Sequence, residues 1–105
     1  MKWYNDLYVS DDVAPKITKI IKKIEEGKIL VGVYVITLSA NEKDNLDIYQ
    51  VNEFKQNYYK DKEMYIVGVS GSKKGCINLV KKIVYDCYKK NGDYNLRSFL
   101  SGGFN

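Results

Sequence analysis

The segment MYIVGVSGSKKGCINLVKKIVYDCYKKN, residues 64–91, determines the fold class that the sequence predicts. Its first six residues are apolar or glycine without polar alternation, which indicates a strand covered on both faces. Ser70-Gly71-Ser72 interrupts that strand and offers a helix N-cap. The residues that follow repeat at helical spacing along one apolar stripe, and these are Leu79, Val80, Ile83, Val84 and Cys87. The segment is therefore predicted to be a strand, a turn and an amphipathic helix.

Outward from this segment, the apolar pattern predicts four further elements. Residues 3–9 are aromatic and β-branched and predict a strand. Residues 12–26 carry isoleucines at helical spacing, with Asp11 or Asp12 available as the N-cap. Residues 29–38 are continuously apolar, which predicts a central strand. Residues 45–59 have apolar side chains three or four positions apart and predict a second helix.

The order of these elements predicts an α/β protein with β-α-β-α-β-α order. The expected architecture is a small three-layer domain with a mostly parallel sheet of three or four strands. Residues 1–100 are predicted to form this single domain, and residues 101–105 a flexible tail. The pattern over residues 94–100 leaves a short strand and a helical turn equally open.

Composition excludes several classes of function. The chain has no histidine, which removes histidine-based catalysis and the common zinc and iron ligand sets. Cys76 and Cys87 lie about 16 Å apart along one helix at about 1.5 Å per residue, too far for a disulfide. No signal peptide or membrane-spanning run is recognisable, so a cytoplasmic protein without a membrane partner is expected. The sequence predicts no catalytic residues, cofactor or metal.

One candidate site lies where the predicted strands end. Two lysines occupy the first turn of the last long helix, where the helix dipole disfavours positive charge unless an anion binds. The candidate anion-binding residues are Ser70, Gly71, Ser72, Lys73 and Lys74. In a parallel sheet the carboxyl ends of strands share one edge, so a second loop is expected beside this one. Its candidate residues are Ser39, Asn41 and Asp44.

A second candidate is a basic stripe on the same helix. Residues 53–105 carry a net charge of +5, whereas residues 1–52 carry −1. The stripe residues are Lys81, Lys82, Tyr85 and Lys89. A nucleic-acid backbone would lie along the lysines while the tyrosine stacks on a base. Arg97 is the only arginine, although arginine is the preferred reader of phosphates and bases, so nucleic acid is not the favoured partner.

Three segments, at residues 33–38, 65–69 and 92–100, resemble a group of short proteins from anaerobic Gram-positive bacteria to which no activity is assigned. The likeness covers residues 7–100. It implies a shared strand, glycine turn and helix, followed by a glycine and an arginine that match Gly92 and Arg97.

Three functional hypotheses remain. The favoured one is a non-enzymatic interaction protein, because the sequence contains no reactive constellation of residues. A homodimer is expected because a sheet of few strands leaves edges to cover. The alternative is a binder of a small anionic ligand, such as a phosphate or nucleotide, or a phosphate-handling enzyme, using residues 39–45 and 70–75. The third is nucleic-acid binding through the basic stripe.

Overall fold

The computed structural model describes residues 1–39, 46–55 and 63–105. Its strands are β1 (Lys2–Val9), β2 (Tyr34–Leu38), β3 (Leu46–Gln50) and β4 (Tyr65–Ser70). Its α-helices are α1 (Ile17–Glu25), α2 (Lys73–Asn91) and α3 (Leu96–Leu100), and short 3₁₀ turns lie at Ala14–Lys16 and Val51–Lys55. The predicted strand–turn–helix of residues 64–91 is confirmed. Ser72 caps α2, and Gly92, with a φ of 75°, ends it.

The sheet is mixed, so the prediction of a mostly parallel sheet is wrong. The four strands lie in the order β1-β4-β2-β3. Only β1 and β4 pair in parallel, whereas β2 is antiparallel to both β4 and β3. The cause is a hairpin. β2 is followed by β3, which returns beside it with Leu38 opposite Leu46, where the sequence pattern predicted a helix.

The helix predicted for residues 45–59 is replaced by β3 and a 3₁₀ turn in its described part, and residues 45 and 56–59 of that prediction lie outside the described residues. In β3, Leu46 and Ile48 pack on the α2 side of the sheet and Tyr49 on the α1 side. That alternation is the signature of a strand. Because a short apolar run fits both periods, the spacing of Ile48 and Val51 did not discriminate between them.

The sheet has α1 on one face and α2 with α3 on the other. The buried residues of the first face are Val13, Ile20, Ile24, Val33, Val35, Val51, Ile66 and Val69. Those of the second face are Ile36, Val67, Cys76, Ile83, Cys87, Leu96 and Leu100. Neighbouring residues of one strand, such as Val35 and Ile36, belong to opposite cores. This explains why β2 and β4 lack polar alternation.

The apolar run of residues 29–38 is only half strand. Ile29 and Val31 are 68% and 86% exposed, and Gly32 turns with a φ of 75° before β2 begins at Tyr34. Hydrophobicity alone therefore overestimated the length of this strand.

The C-terminal residues 94–105 form a short helix and a segment that pairs with β1. Residues 96–100 are helical, and the Asn95 side chain caps them by accepting from the Ser98 amide. The residues predicted as a flexible tail pair with β1 in the structure. The Trp3 amide donates to the Asn105 carbonyl at 2.9 Å, and the Asn5 amide donates to the Gly103 carbonyl at 2.6 Å. Phe104 packs against the rings of Tyr4 and Tyr65.

Candidate functional site

The exposed face of α2 carries the stripe that the sequence singled out. Successive residues are about 100° apart around a helix, so residues three, four, seven or eight positions apart share a face. Because Cys76, Ile83 and Cys87 hold one side of α2 against the sheet, the opposite side is turned to solvent. The residues on that exposed side are Lys74, Asn78, Lys81, Lys82, Tyr85 and Lys89. The structure therefore brings together all four predicted stripe residues.

The charge on α2 is strongly one-sided. The helix contains six lysines and a single acidic residue, Asp86. The Asp86 carboxylate accepts a hydrogen bond from the Tyr8 hydroxyl at 2.7 Å. Within the described ranges, none of the six lysines forms an ion pair, since the ion pairs there join Met1 to Glu63 and Lys28 to Glu26. The lysines of α2 therefore present their charge to solvent without a fixed partner among the described residues.

Two further aromatic side chains lie beside the stripe, and sequence reasoning missed them. Tyr88 and Tyr94 are 51% and 63% exposed, and their rings stack with centroids 5.0 Å apart and planes 20° apart. The left-handed turn at Gly92 reverses the chain and brings Tyr94 back onto α2. With Tyr85, which is 63% exposed, three exposed tyrosines lie on or beside the face that carries the lysines. The sequence signal was the pair of tyrosines three positions apart, followed by a glycine turn and a third tyrosine.

A cleft of about 580 Å³ opens between β1, α2 and α3. The lining from β1 consists of Tyr4, Asp6, Leu7, Tyr8 and Val9, and the lining from the helices consists of Leu79, Lys82, Asp86, Lys89, Lys90 and Phe99. The cleft combines an apolar and aromatic interior with charges of both signs. None of the hypotheses from the sequence included this cleft, because its two sides are at least 70 residues apart along the chain.

The shape of β1 creates one wall of the cleft. Trp3 pairs with Ile66 and Tyr8 with Gly68, so five steps along β1 match two steps along β4. The surplus residues bulge away from β4, as bulged strands do near binding sites. A β-carbon at Gly68 would lie 3.1 Å from the Tyr8 carbonyl oxygen. Glycine at this position allows β1 to return to the sheet at Tyr8.

The Tyr8 hydroxyl is held in its protonated form. Burial, followed by its hydrogen bond to Asp86, raises the pKa of Tyr8 well above its ordinary value. Burial also raises the pKa of Tyr4. The Lys82 ammonium lies 6.0 Å from the centre of the Tyr8 ring, which fixes a cation above an aromatic face at the rim of the cleft. These groups suit recognition by hydrogen bonds and stacking.

The candidate anion loop, residues 70–74, has its hydroxyl groups engaged internally. Ser70 is buried, and its Oγ accepts from the Ser72 amide at 3.3 Å. Ser72 Oγ accepts from the Gly75 amide at 2.9 Å. A β-carbon at Gly71 would overlap the Asp12 carboxylate, so the protein places its own negative charge at the start of α2. Asp12 thus serves the dipole of α2, not the predicted N-cap of α1.

The carboxyl ends of β2 and β4 do not share an edge of the sheet, because the two strands are antiparallel. Tyr34, at the start of β2, pairs with Ser70, at the end of β4. Ser39 is five residues further along and lies about 16 Å from that end, at about 3.3 Å per residue. Ser39 is buried, and its carbonyl accepts from Arg97 Nη2. Asn41 and Asp44 lie outside the described residues.

Burial in the core lowers the reactivity of the two thiols. Cys76 and Cys87 are free and buried, and burial raises the pKa of Cys76 to about 11. A neutral thiol at physiological pH is a poor nucleophile. Over residues 1–39, 46–55 and 63–105, no cluster of three cysteine, aspartate or glutamate side chains is placed to hold a metal ion.

Among the described helices, none has the length and apolar character needed to cross a bilayer. Comparison with protein-family models, with curated proteins and with solved structures finds no match to this chain.

Proposed function

We propose that this protein is a non-enzymatic binding protein for single-stranded nucleic acid, with the exposed face of α2 as its binding surface. One observation carries the proposal, namely four lysines on the exposed face of α2 and three exposed tyrosines on or beside that face. Lysines attract the phosphate backbone, and exposed aromatic rings stack on unpaired bases. Neither feature is required by the core of the fold.

The dimensions of α2 suit a short strand. Its 19 residues extend over about 28 Å at about 1.5 Å per residue. About eight stacked nucleotides cover the same length at about 3.4 Å each. Lys74, Lys81 and Lys89 are seven or eight residues apart, so they form a row along the helix axis that follows such a backbone.

A binding role is proposed instead of a catalytic one, because the hydroxyl and thiol groups near α2 are hydrogen-bonded or buried and are therefore poor nucleophiles. The Tyr8 hydroxyl is committed to Asp86, and both thiols are buried. Free buried thiols also support the proposed cytoplasmic location, since disulfides are rare in that reducing compartment.

Replacing two central lysines tests the surface. Lys81→Ala/Lys82→Ala is expected to weaken binding of a fluorescein-labelled oligothymidine of twelve nucleotides by at least about tenfold in fluorescence anisotropy. For four contacting lysines, log K is expected to fall with log salt at a slope of about −2.8, and the variant should lower this to about −1.4. The matched control is Lys19→Ala/Lys22→Ala, which removes two exposed lysines from α1 on the opposite face. Equal losses in both variants, or no binding in low salt, would contradict the proposal.

The tyrosines distinguish single strands from generic polyanions. Tyr85→Ala is expected to weaken the oligothymidine complex by about tenfold, within the range of about 1–3 kcal/mol for one stacked base. The affinity for heparin, which has no bases, is expected to be unchanged. An equal loss of affinity for oligothymidine and heparin would contradict base stacking by Tyr85.

Self-association is a second candidate function with one specific observation behind it. Ile29 and Val31 present apolar side chains to solvent in the loop before β2. Burying such residues against a second copy of the chain would be favourable, so the predicted homodimer remains a proposal. Val31→Lys is expected to shift sedimentation equilibrium toward the monomer, and a wild-type protein that is already monomeric at about 100 μM would contradict it.

A further inference from the structure

We propose that the cleft between β1 and α2 holds one guanine base of the bound strand and makes the protein selective for guanine. This inference rests on the proposed function, because the base reaches the cleft from a strand held on α2.

The cleft and the lysine surface are continuous. Lys82 and Lys89 belong to the exposed face of α2 and also line the cleft. A backbone that runs along Lys74, Lys81 and Lys89 therefore passes the mouth of the cleft. A nucleotide held there would keep its phosphate among the lysines and direct its base inward, as proteins that read single strands do with unstacked bases.

The interior suits a planar ring. Its volume of about 580 Å³ falls within the range of about 300–1,000 Å³ typical of small-molecule sites. Leu79, Phe99 and the ring of Tyr8 provide apolar and aromatic surface. The bulge in β1, permitted by Gly68, leaves this surface open.

The polar groups select among bases. Asp6 is exposed, its carboxylate lines the cleft, and it has no hydrogen-bond or ion-pair partner within residues 1–39, 46–55 and 63–105. A carboxylate offers two acceptor oxygens side by side. Guanine is the base whose pairing edge presents two adjacent donors, N1–H and N2–H, next to a carbonyl acceptor, O6. Lys82 and Lys90 supply donors for that acceptor in the same cleft.

Other ligand chemistries match less well. A phosphate inside the cleft would face the carboxylates of Asp6 and Asp86 as well as the ammonium groups of Lys82, Lys89 and Lys90, so repulsion by the carboxylates would offset most of the attraction. Thymine and uracil present two carbonyls around one donor, so a carboxylate opposes their edge. Adenine has the same stacking area as guanine but only one donor group on its pairing edge. The guanine–adenine difference therefore isolates the contribution of the carboxylate from that of stacking.

The experiment compares three labelled twelve-nucleotide strands, all thymidine except for one central guanine, one central adenine or neither. The wild type is expected to bind the guanine strand about tenfold tighter than the adenine strand, as for a good two-point base contact. Asp6→Asn is expected to bring the ratio of these two affinities close to one. Asp11→Asn removes an exposed carboxylate that does not line the cleft, and it is expected to keep the wild-type ratio.

The outcomes separate the two proposals. Equal wild-type affinities for all three strands would overturn the guanine site and leave the nucleic-acid surface standing. A guanine preference that survives Asp6→Asn would equally overturn the assignment of the cleft. Absence of binding to every strand would remove the proposed function, and with it this inference. Circular dichroism of each variant verifies that the fold is retained.

Discussion

Replacing Ile36 with alanine is expected to lower the free energy of unfolding by about 3 kcal/mol. Ile36 lies in β2 at the centre of the sheet, and its side chain is completely buried on the α2 side. Its Cδ1 fills the space above Gly68, where a β-carbon would come within 3.0 Å of it. Truncation to alanine leaves a cavity that the two neighbouring strands cannot close. Urea unfolding followed by circular dichroism measures the change.

The matched control is Ile29→Ala, the same chemical change in the same apolar run of sequence. Ile29 is 68% exposed, so its truncation is expected to change stability by less than about 0.5 kcal/mol. If the two variants lost similar stability, Ile29 would be packed in solution, as it would be in the longer strand that the sequence predicted. The comparison therefore measures burial at two positions that hydropathy cannot distinguish.

Deleting residues 103–105 is expected to cost about 3 kcal/mol. The deletion removes the backbone hydrogen bonds that Gly103 and Asn105 form with Trp3 and Asn5, each contributing about 0.5–1.5 kcal/mol. It also removes Phe104, whose ring lies 5.5 Å from that of Tyr4 and 5.3 Å from that of Tyr65. The urea midpoint of the shortened chain against the full chain provides the measurement.

One single variant separates the two contributions to this loss of stability, and a second single variant serves as the control. Phe104→Ala in the full chain isolates the aromatic contribution, and the deletion adds the loss of backbone pairing. Tyr85→Ala, which removes an exposed aromatic ring, is the control and is expected to leave stability within about 0.5 kcal/mol. A deletion with an unchanged midpoint would support the flexible tail that the sequence predicted.

The sequence correctly predicted those elements whose residue pattern is compatible with only one type of secondary structure. The long apolar stripe of α2, its serine cap and its glycine stop are local signals, and each is confirmed. The mixed sheet was missed because its cause is long-range. Whether residues 46–50 form a helix or return beside β2 depends on pairing with Tyr34–Leu38, and no local residue preference determines that pairing.

The candidate site divides in the same way. Lys81, Lys82, Tyr85 and Lys89 share a face because of helical geometry, which the sequence contains. The stacking of Tyr94 on Tyr88 required the reversal at Gly92, and the cleft required β1 to lie against α2. The prediction that the ends of β2 and β4 lie at one edge of the sheet is wrong, because it assumed that the two strands are parallel.

The central position of β4 governs how this chain acquires its structure. β1 and β2 do not pair with each other, and only β4 joins them. Lys2 meets Tyr65 across 63 positions of sequence, so a large loop must close before the parallel pair contributes any stability. The β2–β3 hairpin is local and is expected to form early. Closure by β4 is then the slow step, and the sheet assembles only after residue 70 has been synthesised.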